Sequence, residues 1–307
     1  MSYVYVLAGD ERERELAFAE ALALTGGRRC GARLVEADRC IDPGRTGYVG
    51  CGIELLASGK DLDEVCCKTA EMKIASDGFA VEVVRVPRGL KVRRHETASA
   101  LGWVIHGRPN LDHPKERFLA IATPEGMWFG RRLDATEPDW RHLVRKPHGF
   151  SSALPAQAAR AICNLAVRGG ERVVDPCCGS GTLLIHAAAL GAHVTGFDIN
   201  KKMVGTTNLN LKHFGLEPAA RLGDAAEISG DYDLALANLP YGHMSPVTDE
   251  KAGQMVTNIV KLAPRGVIIS IRDLSEEVRA GGARVEQLIR LPKQALTRLI
   301  FVYRRAA

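Results

Sequence analysis

The chain has 307 residues, 46% of them apolar and 25% charged, which is enough for two ordinary cores and excludes a disordered or fibrous protein. No run approaches the roughly 20 apolar residues of a membrane span. The opening Met1–Asp10 lacks the basic and apolar stretches of a signal peptide, so a cytosolic setting is expected. The 41 basic residues divide 20 to 21 about residue 140 and the 36 acidic ones 22 to 14, so the net charge of +5 belongs to the second half, where it is compatible with a polyanionic partner.

The first half reads as irregular α/β. Expected are a strand Tyr3–Leu7, a helix Glu11–Leu24, a helix Asp61–Lys73 with Asp61 as N-cap, and a strand Phe79–Val86. A helix Lys91–His106 follows, with Ala98, Leu101 and Ile105 on one face, then a hairpin of Arg117–Ala122 and Met127–Arg132 around Pro124-Glu-Gly126. Trp103, Trp128 and Trp140 are expected in cores or interfaces. Residues 136–150, with two prolines and several basic residues, read as a linker.

The second half alternates regularly. Strands are expected at Arg172–Val174, His193–Phe197, Ala220–Leu222, Tyr232–Ala237 and Val267–Ile271, and helices at Thr182–Leu190, Lys201–Phe214, Asp249–Leu262 and Leu274–Ala280. That spacing implies a parallel sheet covered on both faces. Two last strands, near Ala283–Ile289 and Thr297–Tyr303, are joined by a short Leu291-Pro-Lys-Gln loop and can pair antiparallel, so the sheet is expected to be mixed at one edge. The eight cysteines include the adjacent pairs Cys66–Cys67 and Cys177–Cys178 but no Cys-x-x-Cys. They read as small buried thiols, and no metal site is expected.

Two strand ends carry the chemistry. The first runs into Asp175-Pro-Cys-Cys-Gly179-Ser-Gly181-Thr182. Its glycines let a ligand approach the backbone, but the third glycine of a dinucleotide fingerprint is missing and an acid opens the loop. An acid there repels a pyrophosphate and suits the cationic amino-acid end of S-adenosylmethionine (SAM). Asp198, ending the next strand, can take the ribose hydroxyls, and Asp224, ending the third, the adenine amino group.

The second strand end is Asn238-Leu239-Pro240-Tyr241. An exocyclic amine or amide nitrogen is a poor nucleophile, because its lone pair is delocalised. Two acceptors that take its hydrogens aim that pair at a methyl group. The Asn238 oxygen can be one acceptor and the carbonyl of Leu239 or Pro240 the other, while Tyr241 can stack on a flat base. Catalysis then rests on positioning and desolvation.

These motifs resemble the amino-methyltransferase branch of the Class I SAM enzymes, whose fourth-strand motif is (Asp/Asn)-Pro-Pro-(Tyr/Phe); Leu239 departs from it. The stretch from Lys146-Pro-His-Gly-Phe through Ser152-Ala-Leu154 into the Asp175 loop is similar to tRNA guanine-N2 methyltransferases that carry an N-terminal THUMP domain. Asn110-Leu-Asp-His-Pro114 and Trp128-Phe-Gly130 resemble the end of such a domain. The resemblance implies a Rossmann-like methyltransferase domain with a mixed seven-stranded sheet at 151–307, a linker at 136–150, a THUMP-like RNA-binding domain at 75–135 and a ferredoxin-like companion at 1–74.

It implies SAM contacts at Ser152, Leu154, Asp175, Pro176, Gly179, Gly181, Thr182, Asp198, Ile199, Asp224, Ala225 and Asn238, and catalysis at Asn238, Leu239, Pro240 and Tyr241. Arg85, Arg88, Lys91, Arg93, Arg94, Arg141, Arg145 and Lys146 are the expected RNA contacts. The expected reaction is methyl transfer from SAM to N2 of a guanosine in structured RNA, above all tRNA. Asn238 can also accept from adenine N6 or a glutamine amide, and a non-catalytic RNA-binding protein on the same fold is the alternative of another class.

Overall fold

The computed structural model describes residues 1–136, 140–149, 153–240, 248–293 and 296–305. The chain divides into two compact units. One comprises Met1–Ala8, Leu24–Arg45 and Val49–Pro138, and the other Gly9–Ala23, Thr46–Tyr48 and Asp139–Ala307.

The first unit is built on a seven-stranded sheet. Its strands are β1 (Tyr3–Leu7), β2 (Arg28–Gly31), β3 (Leu34–Ala37), β4 (Val49–Gly59), β5 (Phe79–Arg85), β6 (Glu116–Thr123) and β7 (Gly126–Leu133), in the order β2-β3-β1-β4-β7-β6-β5. All neighbours are antiparallel except β5 and β6. Strands on both sides of the expected boundary at 74/75 therefore share one sheet. β2, β3 and β4 are absent from the sequence reading.

The first-unit core joins Val65 on α2 (Leu62–Glu71), Leu101 on α3 (Arg94–Trp103) and Ile105 to Phe79, Phe118 and Phe129, with Phe118 and Phe129 stacked at 5.7 Å. Burying each such side chain contributes about 1.5–3 kcal/mol. Trp103 is corrected by the structure: it is 88% exposed. The uniform burial of the cysteines is corrected too, since Cys40 and Cys67 are exposed.

The helix expected at 11–24 opens as a 3-10 turn, Glu11–Glu13, before α1 (Arg14–Thr25), and up to Ala23 it falls in the second unit. There the Glu20 carboxylate is fully buried. It accepts from the amides of Gly47 (2.7 Å) and Tyr48 (2.8 Å) and from Asn164 Nδ2 (2.7 Å) on α4 (Ala156–Ala166). Trp140 Nε1 donates to the Thr46 carbonyl at 2.9 Å in the same unit. The second unit is thus assembled from three separate stretches of chain, and hydrogen bonds to a buried carboxylate join them.

Its sheet has the order β10-β9-β8-β11-β12-β14-β13. The strands are β8 (Arg172–Asp175), β9 (His193–Asp198), β10 (Ala220–Leu222), β11 (Leu234–Asn238), β12 (Arg265–Ser270), β13 (Ala283–Lys293) and β14 (Leu296–Arg305). The first five run parallel, and β14 and β13 close the edge antiparallel, as the short final connection requires. The expected mixed seven-stranded sheet is present. Between the strands lie α5 (Thr182–Ala188), α6 (Lys201–His213), α7 (Asp249–Leu262) and α8 (Ser275–Ala280).

The helix ends follow from local chemistry. α7 opens on Thr248, whose hydroxyl accepts from the Lys251 amide, with Asp249 and Glu250 in its first turn and Lys261 in its last. No helix among the described residues is long and apolar enough to cross a membrane.

Candidate active site

From β8 the chain steps outward to β9 and β10, then returns to β11 on the other side of β8. Such a reversal opens a crevice at the carboxyl ends of the strands. Register places the site residues along that edge: Asp175 pairs with Gly196, Asp198 with Leu222, and Asn238 with Ile269. The sheet topology therefore brings together side chains that the sequence scatters over some sixty residues.

The loop after β8 is held by its neighbours. Gly179 and Gly181 both have positive φ, +52° and +79°. A Cβ on Gly181 would lie 2.9 Å from Thr207 Cγ2, so glycine is required there for shape and conformation alike. Thr207 Oγ1 donates to the Gly179 carbonyl at 2.6 Å. Asn210, fully buried on α6, donates from Nδ2 to the carbonyls of Ser180 and His148, both at 2.9 Å, and accepts from the His148 amide. Neither Thr207 nor Asn210 was found in the sequence. Residue type gave no signal, because α6 is polar along most of its length and only burial sets these two apart.

The acids occupy three different environments. Asp175 is 2% exposed, and its Oδ1 accepts from the Cys177 amide at 3.0 Å. Burial pushes its carboxyl up to about 8, and no cation faces it among the described residues. Asp198 accepts from the Gly179 amide at 2.9 Å and the Asn200 amide at 2.8 Å, which fixes its carboxylate at the loop mouth. Asp224 accepts from Lys251 Nζ at 2.8 Å and the Ala226 amide at 2.9 Å. The Lys251 ammonium holds its carboxyl below the usual range. Lys251 was not singled out in the sequence.

Around these acids, Ala225 and Leu154 are buried, Ile199 is 71% exposed, and Pro176 and Thr182 sit in the loop and at the start of α5. Ser152 and Tyr241 lie outside the described residues. Burial drives the Cys177 and Cys178 thiols upward, so neither is a thiolate nucleophile near neutral pH.

At the end of β11, the Asn238 side-chain oxygen is buried and has no hydrogen-bond partner among the described residues. An unsatisfied buried carbonyl oxygen costs about 1–3 kcal/mol and is a ready acceptor for an N–H brought to it. Leu239 follows, buried, its amide donating to the Ile269 carbonyl at 3.0 Å, so the backbone of the motif is anchored to β12.

The expected RNA contacts separate. Arg88, Lys91, Arg141 and Arg145 are exposed, with the Arg141 guanidinium 5.5 Å from the Trp140 ring centroid. Arg93 pairs with Glu96 at 2.7 Å. Arg94 donates to the Val83 carbonyl and Arg85 to the Leu90 carbonyl, so part of each serves the fold. Lys146 departs most from expectation. It is half-buried, and its Nζ bonds the hydroxyls of Ser180, at 2.7 Å, and Thr182.

A strand-edge site with a glycine loop, three terminal acids and an orphan Asn oxygen is the arrangement to set beside known proteins. Residues 144–263 match the UPF0020 family model, described as RMKL-like, methyltransferase domain. The crystal structure of TrmN from Thermus thermophilus shares the fold, with a TM-score of 0.52, 18% identity and full coverage of both chains. A possible methylase from Clostridium difficile 630 does so with a TM-score of 0.50 and 14% identity over 100% of this chain and 98% of that one. The second unit thus has the fold of the SAM-dependent methyltransferases.

Among curated proteins, the tRNA (guanine(10)-N2)-dimethyltransferase of Pyrococcus abyssi is 31% identical over 61% of each chain. The protein of the same name from Methanocaldococcus jannaschii is 46% identical over 46% of this chain and 43% of its own. The matched region spans about three fifths or less of these relatives.

SAM fits the residues present. A buried, uncompensated carboxyl suits an ammonium, open space over Gly179 leaves room for a ligand, and three acids along the edge disfavour a phosphate-bearing cofactor.

Proposed function

We propose that the chain is a SAM-dependent RNA methyltransferase that methylates an exocyclic amine, N2 of a guanosine in tRNA. Bound SAM supplies a methyl group on a sulfonium, an electrophile needing no metal or covalent intermediate. Asp175 receives its ammonium, Asp198 its ribose and Asp224 its adenine end. The chain's own catalytic contribution is at β11. The Asn238 oxygen accepts one amine hydrogen, the following backbone carbonyl accepts the other, and the nitrogen lone pair is aimed along the transfer line, the displaced proton leaving to solvent. The observation that carries this is the buried Asn238 oxygen, without a hydrogen-bond partner among the described residues, at the edge of the cofactor crevice.

The choice of guanine in tRNA is supported by the curated relatives, which bear tRNA guanine-N2 names, and by the Lys146–Leu154 lead-in. The first unit is assigned the RNA-binding role of a THUMP-like region, with the exposed Arg88 and Lys91 meeting phosphates, and the exposed Arg141 and Arg145 of the second unit are assigned phosphate contacts as well.

The test is transfer of tritiated methyl from SAM into total tRNA and ribosomal RNA, followed by nucleoside analysis. N2-methylguanosine in tRNA is the expected product. Label found only as N6-methyladenosine refutes guanine, and no SAM binding detectable by calorimetry favours a non-catalytic RNA-binding protein. Asn238→Ala should lower transfer by 100-fold or more, a loss on the order of 3 kcal/mol in the transition state, with SAM affinity within a few-fold. Full activity in that variant ends the assignment.

A further inference from the structure

Two ionisable groups flank the loop after β8 and do not pair with one another: the buried Asp175 and the half-buried Lys146. Asp175 precedes the loop and, among the described residues, accepts only from the Cys177 amide. Lys146 approaches the loop's other end, where its ammonium bonds two neutral hydroxyls, those of Ser180 and Thr182. An ammonium has three N–H donors, and no carboxylate pairs with this one among the described residues.

Burying an unpaired cation is costly, and the cost shows: burial alone pulls the Lys146 amine down to about 8, from an ordinary 10.5. A loop needing only a strut could be braced by a neutral side chain. The two groups flank Gly179 and Gly181, where the backbone turns away and leaves open space over Gly179. A ligand end that bears one positive and one negative charge would relieve both, whereas a phosphate would relieve Lys146 and aggravate Asp175.

We propose that Lys146 holds the carboxylate of the methyl donor's amino-acid end, so that Asp175 and Lys146 together grip it as a zwitterion across the glycine loop. This rests on the reading of the crevice as a SAM site. It moves Lys146 from the RNA surface to the cofactor, and makes the segment at 140–149 part of the donor cradle. Asn210 reinforces that role, because it ties His148 and Ser180 to one side chain and so fixes the Lys146 segment against the loop.

The test uses the full chain and three ligands, titrated calorimetrically: SAM, S-adenosylhomocysteine, and 5′-methylthioadenosine, which keeps the nucleoside and thioether but lacks the amino-acid end. Lys146→Met should weaken the first two by ten- to a hundred-fold and leave 5′-methylthioadenosine within two-fold. Lys146→Arg should recover part of the loss. Equal weakening of all three ligands means that Lys146 is only a loop brace and overturns the proposal, as does unchanged SAM affinity. Lys146→Gln, read by the same ligand comparison, serves if the Met variant does not fold. Wild-type protein that binds 5′-methylthioadenosine no worse than SAM overturns the zwitterion grip while sparing the nucleoside site. Wild-type protein that binds none of the three fails the SAM reading itself.

Discussion

Replacing Asp175 by Asn should make the ligand-free protein more stable and a worse receptor for SAM. The side chain is 2% exposed and its carboxyl is raised from 3.8 to about 8 by burial. A carboxyl raised in the folded state binds its proton more tightly there than in the unfolded chain. Folded stability is therefore fullest below pH 3.8 and drains away as pH climbs toward 8. Each pH unit inside that window removes about 1.4 kcal/mol, so between pH 5 and pH 8 the wild type should lose about 4 kcal/mol through this group alone.

Asn keeps an oxygen for the Cys177 amide and carries no proton to lose. The assay is urea unfolding of both proteins without ligand at pH 5, 6.5 and 8. Other titrating groups, the buried Glu20 among them, are common to both and cancel in the difference. The gap between variant and wild type should widen with pH by several kcal/mol, while calorimetry finds SAM binding by the variant weakened at least ten-fold. Parallel stability curves across that range would show that Asp175 is already compensated in the ligand-free protein, and the argument for an ammonium site would go with it.

Further outcomes follow from the same structure. Glu20→Ala leaves two buried amides and Asn164 without their acceptor and should cost at least about 3 kcal/mol in urea unfolding; a loss under about 1 kcal/mol would mean that water replaces the carboxylate. Gly181→Ala forces a Cβ against Thr207 at positive φ and should cost about 1–2 kcal/mol together with a several-fold drop in SAM affinity, checked by thermal melts and calorimetry. Lys251→Met removes the partner of Asp224. Since the lysine is more than a third exposed, stability should hardly change, but the Asp224 carboxyl should rise toward its ordinary value, a shift followed by carboxyl NMR against pH.

The second unit was readable because parallel strands are short apolar runs ending in chemistry-bearing residues, and the helices between them are bounded by caps such as Asn200 and Thr248. β4 was not readable. Val49–Gly59 holds three glycines and a register shift between Leu55 and Ala57, which breaks the alternation that marks a half-buried strand. The glycine loop and Asn238 announced themselves by local pattern. Asn210 and Lys251 did not, and Lys146 was read as an RNA contact, because each acts here through a partner 27 to 62 residues away. The place of α1 depends on a pairing across 144 residues, for which a single sequence carries no local sign.

That pairing has a consequence for how the molecule is made. During synthesis α1 leaves the ribosome well before α4, and Asn164, which donates to Glu20, is translated 144 residues after it. Until then the carboxylate has nowhere dry to go and stays hydrated. The seating of α1 is accordingly a late event, and protection of its amides against exchange on nascent chains of increasing length would mark the moment at which the methyl-transfer unit closes.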